Sequence, residues 1–274
     1  MGEFIEARGT IHGRAGPQAR IGFRRRALCR GLQAAEKLAA GYFGGRRLGR
    51  RMAKTAKLKQ TDPLRARRDE EKEERRQAII DAAERVIAKV GWAATNFGEV
   101  AKRARLSRSL VYFYFPDRDD LFHAICGRGL ESMEKRFAAA MAAHRTGLDQ
   151  MMAIGEAYYR FSLDEPLYFA VLSDYQARDS DPASQTDNEA AAHGHGRACL
   201  GMVARALANG LADGSIRKSI GDPRPTAVSV WAFTHGLIQI AARKEAMLRQ
   251  DFGLTSAKAM AHGFALLRGS LSAR

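Results

Sequence analysis

The chain has 274 residues, of which 46% are hydrophobic and 27% charged, with a formal net charge of +15. This length and balance predict a globular protein with one small and one larger domain. The sequence contains no run of about 18 apolar residues, which a transmembrane helix would need. The N-terminus lacks the apolar segment of a secretory signal, so we expect neither membrane insertion nor export.

The positive charge is concentrated in residues 1–68, which hold 18 Lys and Arg against 4 Asp and Glu. This segment is rich in Gly and Arg and has no sustained hydrophobic period, so we expect a disordered leader. Three interpretations remain open. The leader is a basic arm that adds phosphate contacts to DNA binding, a solvated tail, or a sequence upstream of a natural start at Met52.

Residues 70–90 are predicted to form the first helix, with acidic residues early and Lys89 late, as the helix dipole favours. Its apolar residues recur on one side. They are Ile79, Ile80, Ala83, Val86, Ile87 and Val90.

A second, short helix is predicted from about Phe97, because Asn96 is a good N-cap and Glu99 stands at the third helical position. Its apolar residues have helical spacing and define one buried stripe. They are Phe97, Val100, Ala101 and Ala104.

A third helix follows a tight turn, with Ser107 as its N-cap. A recognition helix places its N-terminal residues at the base edges of the major groove, so Arg108 and Ser109 are best placed to read sequence, Arg favouring guanine. Tyr112 and Phe113 share this outward face and are expected to contact the DNA backbone or a thymine methyl. The expected inward residues are Leu110 or Val111 with Tyr114 and Phe115. Pro116 ends the helix, and Asp117 is the expected cap of the next one, which begins near Arg118.

Residues 73–133 resemble the helix-turn-helix region of the TetR family of one-component bacterial repressors. The matching positions are Gly91, Thr95-Asn96, Val100-Ala101, Ala104, Leu106-Ser107, Val111-Tyr112, Tyr114-Phe115, Arg118 and Leu121-Phe122. Three positions depart from the family pattern. Arg105 replaces the usual turn Gly, Ser109 a common second Gly, and Leu110 a common phosphate-binding Thr. A non-Gly residue at positive φ costs about 1 kcal/mol.

The resemblance implies an all-α protein, with a three-helix DNA-binding domain at residues 69–133 and a larger helical ligand-binding and dimerisation domain at residues 134–274. It also implies a set of DNA-binding residues. They are Thr95, Asn96, Arg105, Ser107, Arg108, Ser109, Leu110, Tyr112, Phe113, Tyr114 and Arg118.

The second half of the chain has helical periodicity throughout, interrupted by a polar loop at residues 179–188 and by Gly and Pro breakers. The predicted helices span about 118–142, 147–164, 166–178, 188–213, 223–248 and 255–271. In the resembled family, the last two helices form the dimer interface. The apolar residues here allow this, but an ordinary intrachain core fits the same pattern. They are Val228, Trp231, Ala232, His235, Ile238, Ile240, Phe264, Leu266, Leu267 and Leu271.

Aromatic and Met side chains predict a pocket for a small, mostly apolar ligand, although each residue taken singly fits a bundle core equally well. The candidates are Met151, Met152, Tyr158, Tyr159, Phe161, Tyr168, Phe169, Leu172, Tyr175, Trp231 and Phe233. Asp164 and Glu165 could pair with a cationic ligand or simply solvate a helix end. His235 follows Trp231 by one helical turn and is interpreted as a packing residue.

Neither a cofactor, a metal site nor catalytic activity is expected. His193 and His195 lie two residues apart, which does not place both imidazoles on one helix face. Cys29, Cys126 and Cys199 are widely spaced, as in the reducing cytoplasm, where we expect the protein. No nucleophile motif or phosphate-binding loop is present.

We therefore expect a homodimeric repressor that leaves a pseudo-palindromic operator when a small inducer binds, and activation is the alternative mode of action. Two alternatives belong to other classes. One is a non-specific nucleic-acid-binding protein driven by the basic leader, and the other is a ligand-binding helical enzyme whose helix-turn-helix is incidental.

Overall fold

The structure is a computed structural model that describes residues 63–177 and 186–273. The predictions for residues 1–62, including a start at Met52, and for most of the loop at 179–188 lie outside these ranges. The described helices are α1 (Pro63–Ala94), α2 (Phe97–Ala104), α3 (Arg108–Tyr114), α4 (Arg118–Ala142), α5 (Gly147–Asp164), α6 (Pro166–Gln176), α7 (Asp187–Asp213), α8 (Pro223–Arg243), α9 (Glu245–Phe252) and α10 (Ser256–Leu271), with a 3-10 turn at Lys218–Ile220.

The all-α prediction is confirmed. Within the two described ranges the structure contains no strand, and the one β-type contact is an isolated bridge between Ile216 and Ser272. None of the described helices is long and apolar enough to cross a membrane.

Helix α1 begins before the predicted residue 70, so residues 63–68 belong to this helix and not to the leader, and its backbone leaves the helical conformation at Gly91, with φ 77° and ψ 165°, directly after the predicted end at residue 90. Proline is favoured at the first position of a helix, where its missing N–H costs nothing. The side chains of residues 64–75 are all exposed, and a pair such as Arg67 with Glu71, at 3.2 Å, supports this part only from the surface. Because residues 64–75 have no face packed against the core, the sequence has no hydrophobic periodicity there from which the helix could be predicted.

The three predicted caps of the helix-turn-helix region are confirmed. The side chain of Asn96 accepts a hydrogen bond from the Glu99 amide at 3.0 Å, and Ser107 accepts one from the Leu110 amide at 3.2 Å. Asp117 accepts one from the Asp120 amide at 2.8 Å. Each cap satisfies an amide that has no partner within the helix.

A single apolar core holds α1, α2 and α3 against the first turns of α4. Val100 from α2 and Val111 from α3 are fully buried there, as are Leu121 and Phe122 from α4. Phe115, which follows α3, is also fully buried, with the Arg76 guanidinium over its ring. Burial of these side chains determines which face of α3 stays outside.

Helices α4 to α10 form a bundle in which α4 packs against α5, α6 and α7, and α8 packs against α7 and α10. The start of α5 lies against α7 at Gly147, where a Cβ atom would stand 1.9 Å from the Gly210 amide nitrogen. The Gly147 amide also donates to Asp213 at 2.7 Å. Only glycine allows this close approach.

The prediction of one helix over 223–248 is wrong. Helix α8 ends at Arg243, and α9 begins at Glu245 after Lys244, whose φ is −118° and ψ is 20°. No Gly or Pro marks this break. Instead, the Ser256 hydroxyl donates to the Ala241 carbonyl at 2.7 Å, so the first residue of α10 stabilises the C-terminus of α8.

Candidate nucleic-acid interface and ligand cavity

Helix α3 presents a polar and aromatic face to solvent. Arg108 and Ser109 are exposed at its first turn, and Tyr112 and Phe113 are 45% and 71% exposed. The buried Val111 fixes the rotation of the helix about its axis, so these four side chains point away from the core. The structure therefore brings together the four residues that the sequence places on the outward face.

Arg108 and Tyr112 lie one turn apart and interact. The Arg108 guanidinium stands 5.6 Å from the centroid of the Tyr112 ring, and its Nη2 donates to the Tyr112 hydroxyl at 3.4 Å. Both contacts are weak at an exposed site. They orient the guanidinium across the exposed helix face.

Tyr112 also packs edge-on against Phe97, with ring centroids 4.8 Å apart. Phe97 is buried at the start of α2, so this contact joins the exposed face of α3 to the core of the domain. A shallow groove runs beside it. The groove is lined by Trp92, Ala93, Phe97, Tyr112, Pro116, Asp117, Arg118 and Asp119.

Arg118, at the start of α4, is held by the end of α1. Its guanidinium lies over the Trp92 ring, 5.0 Å from the centroid, and its Nη2 donates to the Trp92 carbonyl at 2.9 Å. The side chain remains exposed beside the groove. Its charge is thus presented on the same surface as Tyr112.

Other predicted DNA-binding residues have different positions. Thr95 is buried, and its hydroxyl donates to the Gly91 carbonyl at 2.8 Å, so the structure places this side chain inside the domain and not on its surface. Leu110 and Tyr114 are half-buried. Asn96 and Ser107 are exposed, but their side-chain oxygens cap α2 and α3.

Arg105 is the turn residue between α2 and α3, with φ 58° and ψ 38°. It is the one non-glycine residue with positive φ among the described residues. The side chain is exposed and lines a basic groove between α1 and α2 that the sequence analysis missed. The groove's basic residues are Arg85, Lys89, Lys102, Arg103 and Arg105.

An apolar cavity of about 270 Å³ lies within the bundle. Four of the eleven predicted pocket residues line it: Met151, Tyr158, Tyr175 and Trp231. Met151 and Tyr158 share one stripe of α5 with Ile154 and Gly155, which also line the cavity.

The structure places the other seven candidates outside the cavity lining. Met152 and Tyr159 follow Met151 and Tyr158 by one residue, which turns them about 100° around the helix. Phe161 and Leu172 are buried in the core, and Phe233 is 41% exposed. Phe169 packs behind Tyr158 with ring centroids 5.8 Å apart, and the Tyr168 hydroxyl donates to Glu84 at 2.8 Å.

Nine of the eighteen lining residues come from α4 and α7, two helices on which the sequence predicted no pocket residue. Helix α4 contributes Leu130, Met133 and Phe137. The remaining lining residues come from α6, α7 and α8. They are Gln176, His193, Gly196, Arg197, Cys199, Leu200, Val203, Val230 and Thr234. Their periodicity marks a buried stripe, and no local signal separates a cavity wall from a filled core.

Tyr158 of the cavity wall belongs to a short chain of polar side chains. The Tyr158 hydroxyl is 2.7 Å from His235 Nδ1, and His235 Nε2 is 2.8 Å from Gln239 Nε2. Burial raises the pKa of Tyr158 to about 12, although hydrogen bonding with Gln176 and Trp231 opposes the rise. Burial, followed by the charge of Arg243, lowers the pKa of His235. Both side chains are therefore neutral near pH 7.

Helix α4 carries an ionic cluster that ties α1 to the bundle. Arg128 Nη1 donates to Asp81 at 2.6 Å and to Glu84 at 2.9 Å, and both acids lie on α1. Glu84 also accepts from the Tyr168 hydroxyl of α6. Desolvation lowers the pKa of Arg128, but the hydrogen bond to Asp81 and the charge of Glu84 outweigh it and raise the pKa overall.

Aromatic contacts link the cavity wall to Arg118. Tyr175 lines the cavity and meets the His123 ring at 6.0 Å, and His123 follows Phe122 on α4. The Phe122 ring lies 4.8 Å from the ring of Trp92, over which the Arg118 guanidinium is placed. The contacts are continuous from the wall of the cavity to Arg118 at the start of α4.

His193 and His195 have separate environments. His193 lines the cavity, whereas His195 Nδ1 is 2.6 Å from a carboxylate oxygen of Glu134. In the two described ranges, no three His, Cys, Asp or Glu side chains are grouped as metal ligands. Asp164 and Glu165 both pair with Arg136, at 2.8 Å and 2.7 Å.

Comparison with known proteins gives matches in both domains. A model of bacterial regulatory proteins of the tetR family matches residues 79–125, and a model of the tetracyclin repressor-like C-terminal domain matches residues 151–264. The two matched segments contain the helix-turn-helix region and most of the cavity wall, respectively.

Two curated relatives illustrate the similarity. The transcriptional regulator AcrR of Shigella flexneri is 41% identical over 56 residues, which are 20% of this chain and 26% of AcrR. The transcriptional repressor KstR of Mycobacterium tuberculosis is 27% identical over 142 residues, which are 52% of this chain and 62% of KstR. The matched part of the chain thus spans less than two thirds of either relative.

Solved structures show the same fold. The structure of FadR from Bacillus subtilis, determined with stearoyl-CoA, has a TM-score of 0.54 at 16% sequence identity, over 71% of this chain and 98% of that one. Both domain models and the shared fold lead to one conclusion: the chain belongs to the TetR family of bacterial transcriptional regulators.

Proposed function

We propose that the protein is a homodimeric transcriptional repressor that binds a pseudo-palindromic operator through α3 of each subunit and is released by a small, mostly apolar ligand. Helix α4 carries the proposal, because it belongs to both sites. Arg118 at its start lies on the DNA side, and Leu130, Met133 and Phe137 of the same helix line the cavity.

The exposed face of α3 supports DNA reading. Arg108 is placed at the first turn, where a recognition helix meets base edges, and a guanidinium can form two hydrogen bonds with guanine. Tyr112 and Arg118 stand on the same surface and are suited to phosphate contacts, which position a protein on DNA without specifying sequence.

The outer surface of α8 and α10 supports a dimer. Val228 and Ile240 of α8 are about half exposed, as is Leu266 of α10, whereas Ile238 and Leu267 of the same helices are buried. The structure thus separates an intrachain stripe from an outward one, which the sequence pattern could not do. Exposed apolar side chains on two adjacent helices mark a contact surface, and a second copy of the chain is the occupant we propose.

Ligand response follows from the contacts of α4. A ligand in the cavity touches α4 directly and Tyr175, which reaches Trp92 through His123 and Phe122. Displacing α4 or this aromatic chain would move Arg118 and alter the separation of the two recognition helices. Operator binding requires about 34–36 Å between half-sites. The ligand acts as an inducer if it binds more tightly to the conformation in which the two recognition helices are not separated as the operator requires.

The names of similar proteins agree with this proposal. KstR is called a repressor, and FadR was solved with stearoyl-CoA, a molecule with a long apolar chain. For this protein, an apolar ligand is supported by the lining of its own cavity, in which Met, Leu, Ile, Val and aromatic side chains predominate.

The proposal is tested by footprinting the full chain on the DNA that flanks its own gene, at physiological salt, with random DNA of equal length as competitor. Protection of an inverted repeat is expected, and Arg108→Ala should weaken it. Steeply salt-dependent binding without any sequence preference would show instead that the basic leader dominates.

A further inference from the structure

The apolar cavity opens beside a side-chain cation. Arg197 of α7 lines the cavity and is also exposed, so it lies where the cavity meets solvent. Among the described lining residues it is the one Lys or Arg, and neither Asp nor Glu is present. Its guanidinium forms no hydrogen bond or ion pair with any residue that the structure describes. The charge of Arg197 is therefore not neutralised from within the cavity wall.

Acidic residues of the neighbouring helix already have other partners. Glu134 of α4 lies 2.6 Å from His195 Nδ1, and Glu131 lies 2.7 Å from Lys135 Nζ. A guanidinium presents its N–H donors as a planar fork, which matches the two oxygens of a carboxylate. An anionic group at the mouth of the cavity would thus be the partner that Arg197 lacks, whereas a cationic ligand would meet a like charge there.

Two polar groups deeper in the wall are not available to a ligand. The Tyr158 hydroxyl is 2.7 Å from His235 Nδ1 and also interacts with Gln176 and Trp231 by hydrogen bonding. The Thr234 hydroxyl has no hydrogen-bond partner within the described structure, but its oxygen is fully buried and is not presented to the cavity. Polar recognition is therefore expected at the mouth, and apolar contact in the interior.

Helices α4 and α7 run side by side in the same direction along the cavity. A Cβ atom on Gly127 would lie 3.9 Å from Ala192, and one on Gly196 would lie 4.0 Å from Leu130 Cδ1. Residue numbers thus rise together along the two helices. The start of the α4 wall lies beside the part of α7 that carries Arg197.

The wall then continues away from Arg197 on both helices. It extends from Leu130 to Phe137 on α4 and from Arg197 to Val203 on α7. At about 1.5 Å per residue, each of these spans is about 9–10 Å long. Arg197 therefore stands near one end of an elongated apolar space.

From this arrangement we propose that the cavity binds a single-chain aliphatic carboxylate, whose tail lies along α4 and α7 and whose carboxylate pairs with Arg197 at the mouth. The head group then remains partly hydrated, which avoids the large penalty of burying an anion. An apolar cavity of about 150 Å³ holds benzene, so the volume of about 270 Å³ here holds a chain of about ten carbon atoms. This inference rests on the proposed function of the cavity as the inducer site and names the class of its ligand.

The experiment measures, by calorimetry, binding of the full chain to decanoate, decan-1-ol and decylammonium, which share one tail and differ in charge. Arg197→Met removes the cation at an exposed position and keeps an unbranched side chain. It should weaken decanoate binding about fivefold, as expected for an exposed ion pair, and leave decan-1-ol binding unchanged. Arg205→Met, exposed on the same helix but outside the cavity lining, is the matched control and should change neither.

Two further measurements test the head group and the tail separately. Arg197→Glu should reverse the charge preference, so that decylammonium binds more tightly than decanoate. In the native chain, affinity should rise about fourfold per methylene group from hexanoate to decanoate and then level off once the cavity is filled. The preference for decanoate over decylammonium should decrease with added salt, because the ion pair is exposed.

Equal affinities of the native chain for decanoate and decylammonium would overturn the proposed ligand class. Equal weakening of decanoate and decan-1-ol by Arg197→Met would do the same, as would a failure of all three probes to bind. Release of operator DNA is measured separately by fluorescence anisotropy. If decanoate binds through Arg197 but leaves the operator complex intact, the ligand class is upheld and the inducer role in the proposed function is lost.

Discussion

Arg118 and Trp92 are joined by two contacts, a guanidinium 5.0 Å above the indole ring and a 2.9 Å hydrogen bond from Nη2 to the Trp92 carbonyl. Trp92 in turn packs against Phe122 at 4.8 Å. The side chain proposed to contact a DNA phosphate is therefore oriented by the end of α1 and by a buried residue of its own helix.

Removing this support should weaken DNA binding. Trp92→Ala leaves Arg118 without its ring contact, which at an exposed site corresponds to a loss of about two- to fivefold in affinity. The loss should be similar on operator and random DNA, as measured by fluorescence anisotropy. In the double variant with Arg118→Ala, the two losses should not add, since one side chain acts through the other. Full additivity would contradict this dependence.

Arg108→Ala tests base reading. We expect about a tenfold or larger loss of operator affinity, with a smaller loss on random DNA, because a bidentate base contact is specific to sequence. Arg160→Ala removes the same charge from α5, away from the DNA-binding domain, and should leave both affinities nearly unchanged. Equal losses on the two DNAs for Arg108→Ala would show that the residue binds only the backbone.

Arg105→Gly should stabilise the fold. The φ of 58° is unfavourable for a residue with a Cβ atom, so glycine should raise the free energy of unfolding by about 1 kcal/mol. Arg103→Gly lies inside α2 and should lower it by about 1 kcal/mol. Urea unfolding of the two variants checks the opposite signs. A loss of stability in both variants would show that the contacts of the Arg105 side chain stabilise the turn by more than the positive φ at this residue destabilises it.

Charges on the outer surface of α8 and α10 should prevent dimer formation. Ile240→Glu and Leu266→Glu place a carboxylate on the proposed interface and should shift the protein towards a monomer in light scattering coupled to size exclusion. Leu163→Glu is the matched control, since Leu163 is 60% exposed on α5. A native chain that is already monomeric at micromolar concentration would rule out this interface.

The acid dependence of stability should report on His235. Burial lowers its pKa in the folded state, so as the pH falls below the ordinary value of 6.5 the unfolded chain takes up a proton that the folded chain resists. The free energy of unfolding should therefore decrease from about pH 7 towards pH 5. This decrease should be smaller in His235→Gln, and unchanged in His262→Gln at an exposed position on α10. Identical profiles in all three proteins would mean that His235 does not contribute.

Several features of the fold could be predicted because their signals are local. The caps at Asn96, Ser107 and Asp117 depend on side chains that bond to amides three residues away, and each helix start follows from them. The outward face of α3 could be predicted because helical spacing relates Val111 to its neighbours.

Features that depend on packing could not be predicted in the same way. The break at Lys244 is stabilised by Ser256 from α10, and Thr95 is buried against Gly91 although the sequence suggests a surface residue. Among the pocket candidates, a shift of one residue separates Tyr158 from Tyr159. The hydrophobic pattern of α5 alone did not show which of the two lines the cavity.

The sequence by itself determined the all-α class, the helix-turn-helix region and the presentation of Arg108, since each depends on contacts within a few turns of chain. The tertiary structure alone decided the cavity wall on α4 and α7, the unpaired Thr234 hydroxyl and the link from Tyr175 to Arg118. These features join residues far apart in the chain, and apolar burial is non-directional, so the same stripe can fill a core, line a cavity or face a partner until its neighbours are known.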